Sequence, residues 1–244
     1  MPENFRPRAP KSEKGLEVVD RRSERRQLLN EAFQKGDSAF QHIDLLRGIE
    51  FPILVDFNGV LVDNQDVPAL NPEAPEFLEH LKQLGDVVIV TVGQDWQGIY
   101  NRLQELGIGD DVILITKNNF YCNNDHLDIL ELDHDIDPSV FWNEFAESPA
   151  LSSEERELIT RYNGNPVSMA DAASSKRVGV LFNKPYRIPI VDDSSRPGDC
   201  NPGIDLLRVQ EYGHSHSGSA VTLSFGDVIA KITEMKQRIN GRDI

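Results

Sequence analysis

Long apolar runs, cysteines and positive charge are what this 244-residue chain has least of. No run approaches the roughly 20 apolar residues that a membrane-spanning helix needs. The front, MPENFRPRAPKSEKG, is polar and Pro-rich, without the apolar core of a secretion signal. Two cysteines, Cys122 and Cys200, make neither a disulfide framework nor a CxxC metal knuckle, and no histidine pattern beside them marks a nucleophile. A reducing, cytoplasmic setting is the plain expectation. Lys and Arg number 25 against 40 Asp and Glu, a net charge of −15. That excludes a general nucleic-acid binder, which needs cationic surface to displace counterions from phosphates.

The positive charge that exists gathers at the front. Residues 1–26 hold eight Lys and Arg against five acids, +3 for the arm and −18 for the remainder. A solvated leader over 1–20 is expected, with an acidic partner for the arm as the alternative. What the chain does have is a globular composition, 39% hydrophobic and 27% charged, with Leu, Ile and Val spread along it. That much apolar surface can form a core.

RRSERRQLLNEAFQKG (21–36) puts Leu28, Leu29, Ala32 and Phe33 on one helical face, and 37–49 reads as a short helix or a loop. Residues 21–50 are therefore expected to form a helical extension. FPILVDF (51–57) is a nearly unbroken apolar run, the pattern of a strand buried on both faces. Then follow a helix over 71–85 ending at Gly85, a strand over 86–92, a helix over 95–108 and a strand over 111–116. After an acidic stretch at 118–172 come a short helix over 176–183, strands over 187–193 and 205–209, and a helix over 224–239 capped by Ser224. Alternating strands and helices predict an α/β fold, a doubly wound parallel sheet.

In such a sheet, chemistry gathers at the carboxyl ends of the strands. The first predicted strand ends at Asp56, the second at Thr91, and the fourth at Asp192 and Asp193, with Lys176 opening the segment before it. Carboxylates from two strands make a hard oxygen site suited to Mg²⁺. A hydroxyl and an ammonium can hold phosphate oxygens, and a remaining carboxylate can attack phosphorus.

Asp56-Phe57-Asn58-Gly59-Val60-Leu61, VVIVT ending at Thr91, Lys176, and IPIVDD ending at Asp193 follow at spacings of 35, 85 and 16 residues. In order and type they resemble the four motifs of the haloacid dehalogenase-like superfamily, over about 51–240. The resemblance implies a Rossmann-type fold, Mg²⁺ and a phosphorylated substrate. It implies Asp56 as nucleophile and metal ligand, the residue 58 carbonyl, Asp192 and Asp193 as further ligands, and Lys176 as the steadying cation. Thr91, with Val92 and Gly93 behind it, would hold the phosphoryl group. Lys184 and Lys117 are the alternative lysines. The stretch at 118–172 falls where the family places a substrate-covering cap, here a reduced one, with Phe120, Tyr121, Phe141 and Trp142 lining either the pocket or a local core.

Asn58 departs from the family pattern, which has a second aspartate there as proton donor and acceptor. An amide cannot exchange a proton near neutral pH, and general acid–base catalysis typically contributes 10²–10⁴-fold. The expectation is an attenuated phosphatase working through an aspartyl-phosphate on Asp56. The alternative is a silent module that binds a phospho-ligand.

Two other patterns are set aside. Asp133, Asp135, Asp137 and Glu144 have calcium-loop spacing, but Pro138 stands where that loop needs glycine. His214 and His216 sit in a Ser/Gly-rich stretch and read as loop residues.

Overall fold

In the computed structural model the described residues are 13–37, 39–63, 68–120, 179–194, 203–213 and 222–241. Lys176, the calcium-like spacing, both histidines of GHSHSGS, both cysteines and the insert beyond residue 120 lie outside them.

The apolar runs form the strands expected of them. β1 is Pro52–Val55, β2 Asp86–Val90, β3 Ile113–Ile115, β4 Ile188–Asp192 and β5 Ile204–Arg208. All pair in parallel in the order β3-β2-β1-β4-β5. Every residue of β1 through β4 is buried, so the sheet is covered on both faces. Each fully buried Val, Leu or Ile contributes about 1.5–3 kcal/mol relative to exposure.

The helices are α1 (Glu13–Gln34), α2 (Ile43–Arg47), α3 (Ala74–Leu84), α4 (Trp96–Glu105), α5 (Lys117–Phe120), α6 (Gly179–Phe182) and α7 (Phe225–Asn240). A 3₁₀ turn, Ala39–His42, leads into α2. α1 starts eight residues ahead of the boundary read from the sequence, because EKGLEVVD contains no proline to stop it. Asp95 caps α4 by accepting from the Gly98 N–H at 3.0 Å. Ser224 and Asp227 form a reciprocal capping box at the start of α7. Phe77 of α3 stacks on Phe225 of α7 at 4.0 Å between ring centres, joining the two helices. Gly85 ends α3 for a reason of space, since its backbone is extended and a Cβ there would lie 2.3 Å from the Phe51 carbonyl oxygen.

Side chains, with one main-chain bond, cover much of the two edge strands. On β3, Asn30 of α1 donates Nδ2 to the Val112 carbonyl at 2.8 Å and accepts the Leu114 N–H at 3.0 Å. Trp96 Nε1 donates to the Leu114 carbonyl at 3.2 Å, and Asn119 Oδ1 accepts the Thr116 N–H at 3.0 Å. The outward backbone groups from the Val112 carbonyl to the Thr116 N–H are thereby paired without a sixth strand. Asn119 is fully buried, and its Nδ2 donates to the carbonyls of Phe33 and Asp37. On β5, Arg187 donates twice to the Ile204 carbonyl, and the Leu223 N–H donates to the Arg208 carbonyl at 2.8 Å. An unpaired strand edge is a template for aggregation, and both ends of this sheet are managed against it.

α1 also reaches the amino end of the sheet. Arg22 lies 3.5 Å from Glu50 and 3.9 Å from the buried Asp86, and Arg26 donates to the Asp111 carbonyl at 3.1 Å. Part of the charge of the basic arm is thus met within the fold.

Candidate functional site

β1 and β4 are neighbours at the point where strand order turns back on itself, and an open α/β sheet has its crevice at such a point. Asp56 follows the last residue of β1, Asp192 ends β4, and Asp193 comes next. A carboxylate oxygen from each of the three lies within 4.8 Å of the others. Asp56 is 6% exposed and Asp192 0% exposed, with Asp193 half-buried.

Local backbone fixes each acid. The Asp56 N–H donates to the Val191 carbonyl at 2.9 Å, stitching the two strand ends together. One Asp56 oxygen accepts the Phe57 N–H at 2.6 Å, and one Asp192 oxygen accepts the Ser194 N–H at 2.8 Å. These bonds orient the two carboxylates against the strand ends.

The segment after β1 is a folded loop. Leu61 and Val62 N–H donate back to the Phe57 carbonyl, and the Gly59 N–H donates to the Val62 carbonyl at 2.7 Å. Buried Asn71 draws the loop closed through the Val60 and Leu61 carbonyls. Gly59 has φ +75°, and a Cβ there would stand 2.7 Å from Asp193 Cγ. The loop and the β4 acids are therefore in direct contact. Asn58 is half-buried, and its amide makes no hydrogen bond to the described residues. Its carbonyl likewise meets no described donor, although the carbonyls of residues 57, 59, 60, 61 and 62 each accept at least one.

Thr91 follows β2, the strand on the other side of β1, and is fully buried. Its Oγ1 accepts the Gly93 N–H at 3.1 Å, which leaves the hydroxyl hydrogen to donate. Val92 is exposed and Gly93 half-buried beside it.

Of the alternative lysines, Lys117 opens α5 just beyond the end of β3. Lys184 stands four residues before β4, at the amino end of the sheet, and is corrected out of the candidate set. Its Nζ donates to the Arg47 carbonyl at 2.7 Å. Burial first, and then the Arg25 charge, hold its ammonium below the usual lysine range. A parallel sheet separates that end from the acids by the length of β4.

Three supports were not legible in the sequence. Arg208 pairs in register with Asp192, and its Nε donates to the Asp193 carbonyl at 3.0 Å. The Val209 N–H donates to the Asp192 carbonyl at 3.0 Å. The Tyr212 N–H donates to the Gly59 carbonyl at 2.7 Å, while its hydroxyl reaches the Leu70 carbonyl at 3.3 Å. The end of β5 and its turn thus hold both β4 acids and the loop through main-chain carbonyls, bonds that leave no mark on residue choice.

Chemically, the cluster offers hard oxygen donors and no sulfur or imidazole among the described residues, a set suited to Mg²⁺, Ca²⁺ or Mn²⁺. No helix among the described residues is long and apolar enough to cross a membrane. No protein-family model, curated protein or solved structure matches the chain, so the geometry of these side chains is what bears on function.

Proposed function

We propose that the chain is a divalent-cation-dependent phosphohydrolase of the haloacid dehalogenase-like type, with Asp56 as its nucleophile. The observation that carries this reading is the meeting of Asp56, Asp192 and Asp193 within 4.8 Å at the strand-order reversal. Buried Thr91 at the end of the adjoining strand supports it.

In this reading Asp56, Asp192, Asp193 and the Asn58 carbonyl would hold Mg²⁺, which would neutralise charge on the phosphoryl oxygens. Asp56 keeps one oxygen on the Phe57 N–H and presents the other to phosphorus. The new Asp56–phosphorus bond forms as the bond from phosphorus to the leaving oxygen breaks. Water then cleaves the aspartyl-phosphate, releasing phosphate and restoring the carboxylate. Thr91 donates its hydroxyl hydrogen to a phosphoryl oxygen. Lys176, outside the described residues, is assigned the steadying charge.

Asn58 cannot protonate a leaving alkoxide. The substrates that suit this chain are those whose leaving group departs as a stable anion, namely acyl phosphates, anhydrides and aryl phosphates. The test is a Mg²⁺-dependent assay of acetyl phosphate and p-nitrophenyl phosphate with the chain and with Asn58→Asp. Turnover by the chain on these substrates, increased in the variant on alkyl phosphates, is expected. No turnover and no Mg²⁺ or phosphate binding by either protein would remove the assignment. The amide of Asn58 also favours a second reading, a pocket that binds a phospho-ligand without consuming it. Binding without turnover by the chain, together with a large gain in Asn58→Asp, would select that one.

A further inference from the structure

We propose that the groove between β5 and α7 captures the carboxyl terminus of a short extended peptide. The groove encloses about 330 Å³, at the lower end of the range for small-molecule sites. One wall is the outer edge of β5, and the other is the α7 face carrying Lys231, Met235 and Arg238, residues spaced four and seven apart.

The register with β4 points the backbones of Ile204, Leu206 and Arg208 outward. Arg187 occupies the Ile204 carbonyl and Leu223 the Arg208 carbonyl. Only Leu206, between them, keeps both N–H and C=O without a described partner. An edge blocked at both ends and open in the middle fits one peptide unit rather than a long added strand. Main-chain pairing at a sheet edge is a general mode of peptide recognition.

The charges give the occupant its end and its direction. Arg238 is paired with Glu234 at 3.2 Å and the Lys231 charge acts on the Asp227 carboxyl, while Lys231 forms no ion pair and the terminal nitrogens of Arg208 meet no described carboxylate. Asp205 stands at the other end of the wall, three residues and about 10 Å along the strand from Arg208. A carboxylate at the Arg208 end, with the preceding amide on Leu206, satisfies this polarity. Asp205 disfavours a ligand acidic along its whole length. The bound peptide would run parallel to β5, as every strand of the sheet does, with apolar side chains against Leu223 and Met235.

Met235 makes the proposal readable in the full chain, whose other methionines are Met1 and Met169. With methionine methyls labelled, N-acetyl-alanyl-leucine should move the Met235 signal saturably. Its carboxamide should bind at least roughly tenfold more weakly, the usual worth of a charge-assisted bond. Lys231 is exposed, so Lys231→Gln should fold normally and bring the carboxylate down toward the carboxamide. A Met235 signal unmoved by millimolar peptide overturns the proposal. So do equal affinities for the two probes, or Lys231→Gln without effect. A concentration-dependent shift without peptide, in which a second copy of the chain fills the groove, overturns it as well.

Discussion

Gly59 and Asp193 are in contact across the strand-order reversal, with the Asp193 carboxyl carbon 2.7 Å from where a Gly59 side chain would begin. Gly59 also has φ +75°, a region that costs other residues of order 1 kcal/mol or more. Gly59→Ala therefore meets two penalties at one position. The expected result is a loss of about 2–4 kcal/mol in urea unfolding, with divalent-ion affinity falling alongside as Asp193 is displaced. Unchanged affinity for Mn²⁺ would separate Asp193 from the ion site.

The acid cluster predicts a metal response in stability. Saturating Mg²⁺ should raise the melting temperature of the chain, because an ion that binds only the folded state stabilises by mass action, about 2.7 kcal/mol at a hundredfold excess over Kd. Asp192→Asn and Asp193→Asn should abolish that rise. Thermal melts with and without Mg²⁺ read the effect.

Lys184→Gln is the contrasting case. It removes a bond to the Arg47 carbonyl at the opposite end of the sheet and should lower stability while leaving Mg²⁺ affinity and any phosphatase rate unchanged. A change in ion affinity would put Lys184 back among the site residues.

Asn30 serves two backbone groups of β3, Val112 and Leu114. Asn30→Ala should cost about 1–3 kcal/mol, since buried main-chain groups lose their partners. Asn30→Asp should keep the bond from Leu114 and lose the one to Val112. Light scattering of partly unfolded samples should show faster association in both variants, through the uncovered β3 edge.

Tyr186 sets an alkaline limit. Burial, and secondarily the Glu50 charge, push its phenol up to about 12. The folded value lies above the unfolded one, so the neutral phenol contributes stability fully below pH about 10 and loses it between about 10 and 12. For a partly exposed group this is worth of order 1 kcal/mol. Tyr186→Phe should flatten stability over that interval, as measured by urea melts at stepped alkaline pH.

The strands were legible because a sheet covered on both faces demands unbroken apolar runs, and PILV, DVVIV and IPIVD supply them. Asp56, Thr91 and Asp192 could be placed at strand ends because parallel strands put all their carboxyl ends on one side. Lys184, an alternative to Lys176, falls away because it precedes β4 and so lies at the amino end of the sheet, where its ammonium meets the Arg47 carbonyl. The closing of the β3 edge by Asn30, Trp96 and Asn119 left no pattern. Asn30 and Val112 are 82 residues apart, and an asparagine on a helix looks the same whether it faces water or an edge strand. Arg208 and Tyr212 were hidden for a related reason, since each acts on a main-chain carbonyl that any residue would present.

The Asn30 fork also sets an order of events. α1 leaves the ribosome well before β3 exists, and its two bonds must wait for a strand made more than 80 residues later. Closing so long a loop is entropically costly until β1 and β2 have paired. The first helix of the chain is therefore expected to dock late, and for that interval the β3 edge stands open to other chains.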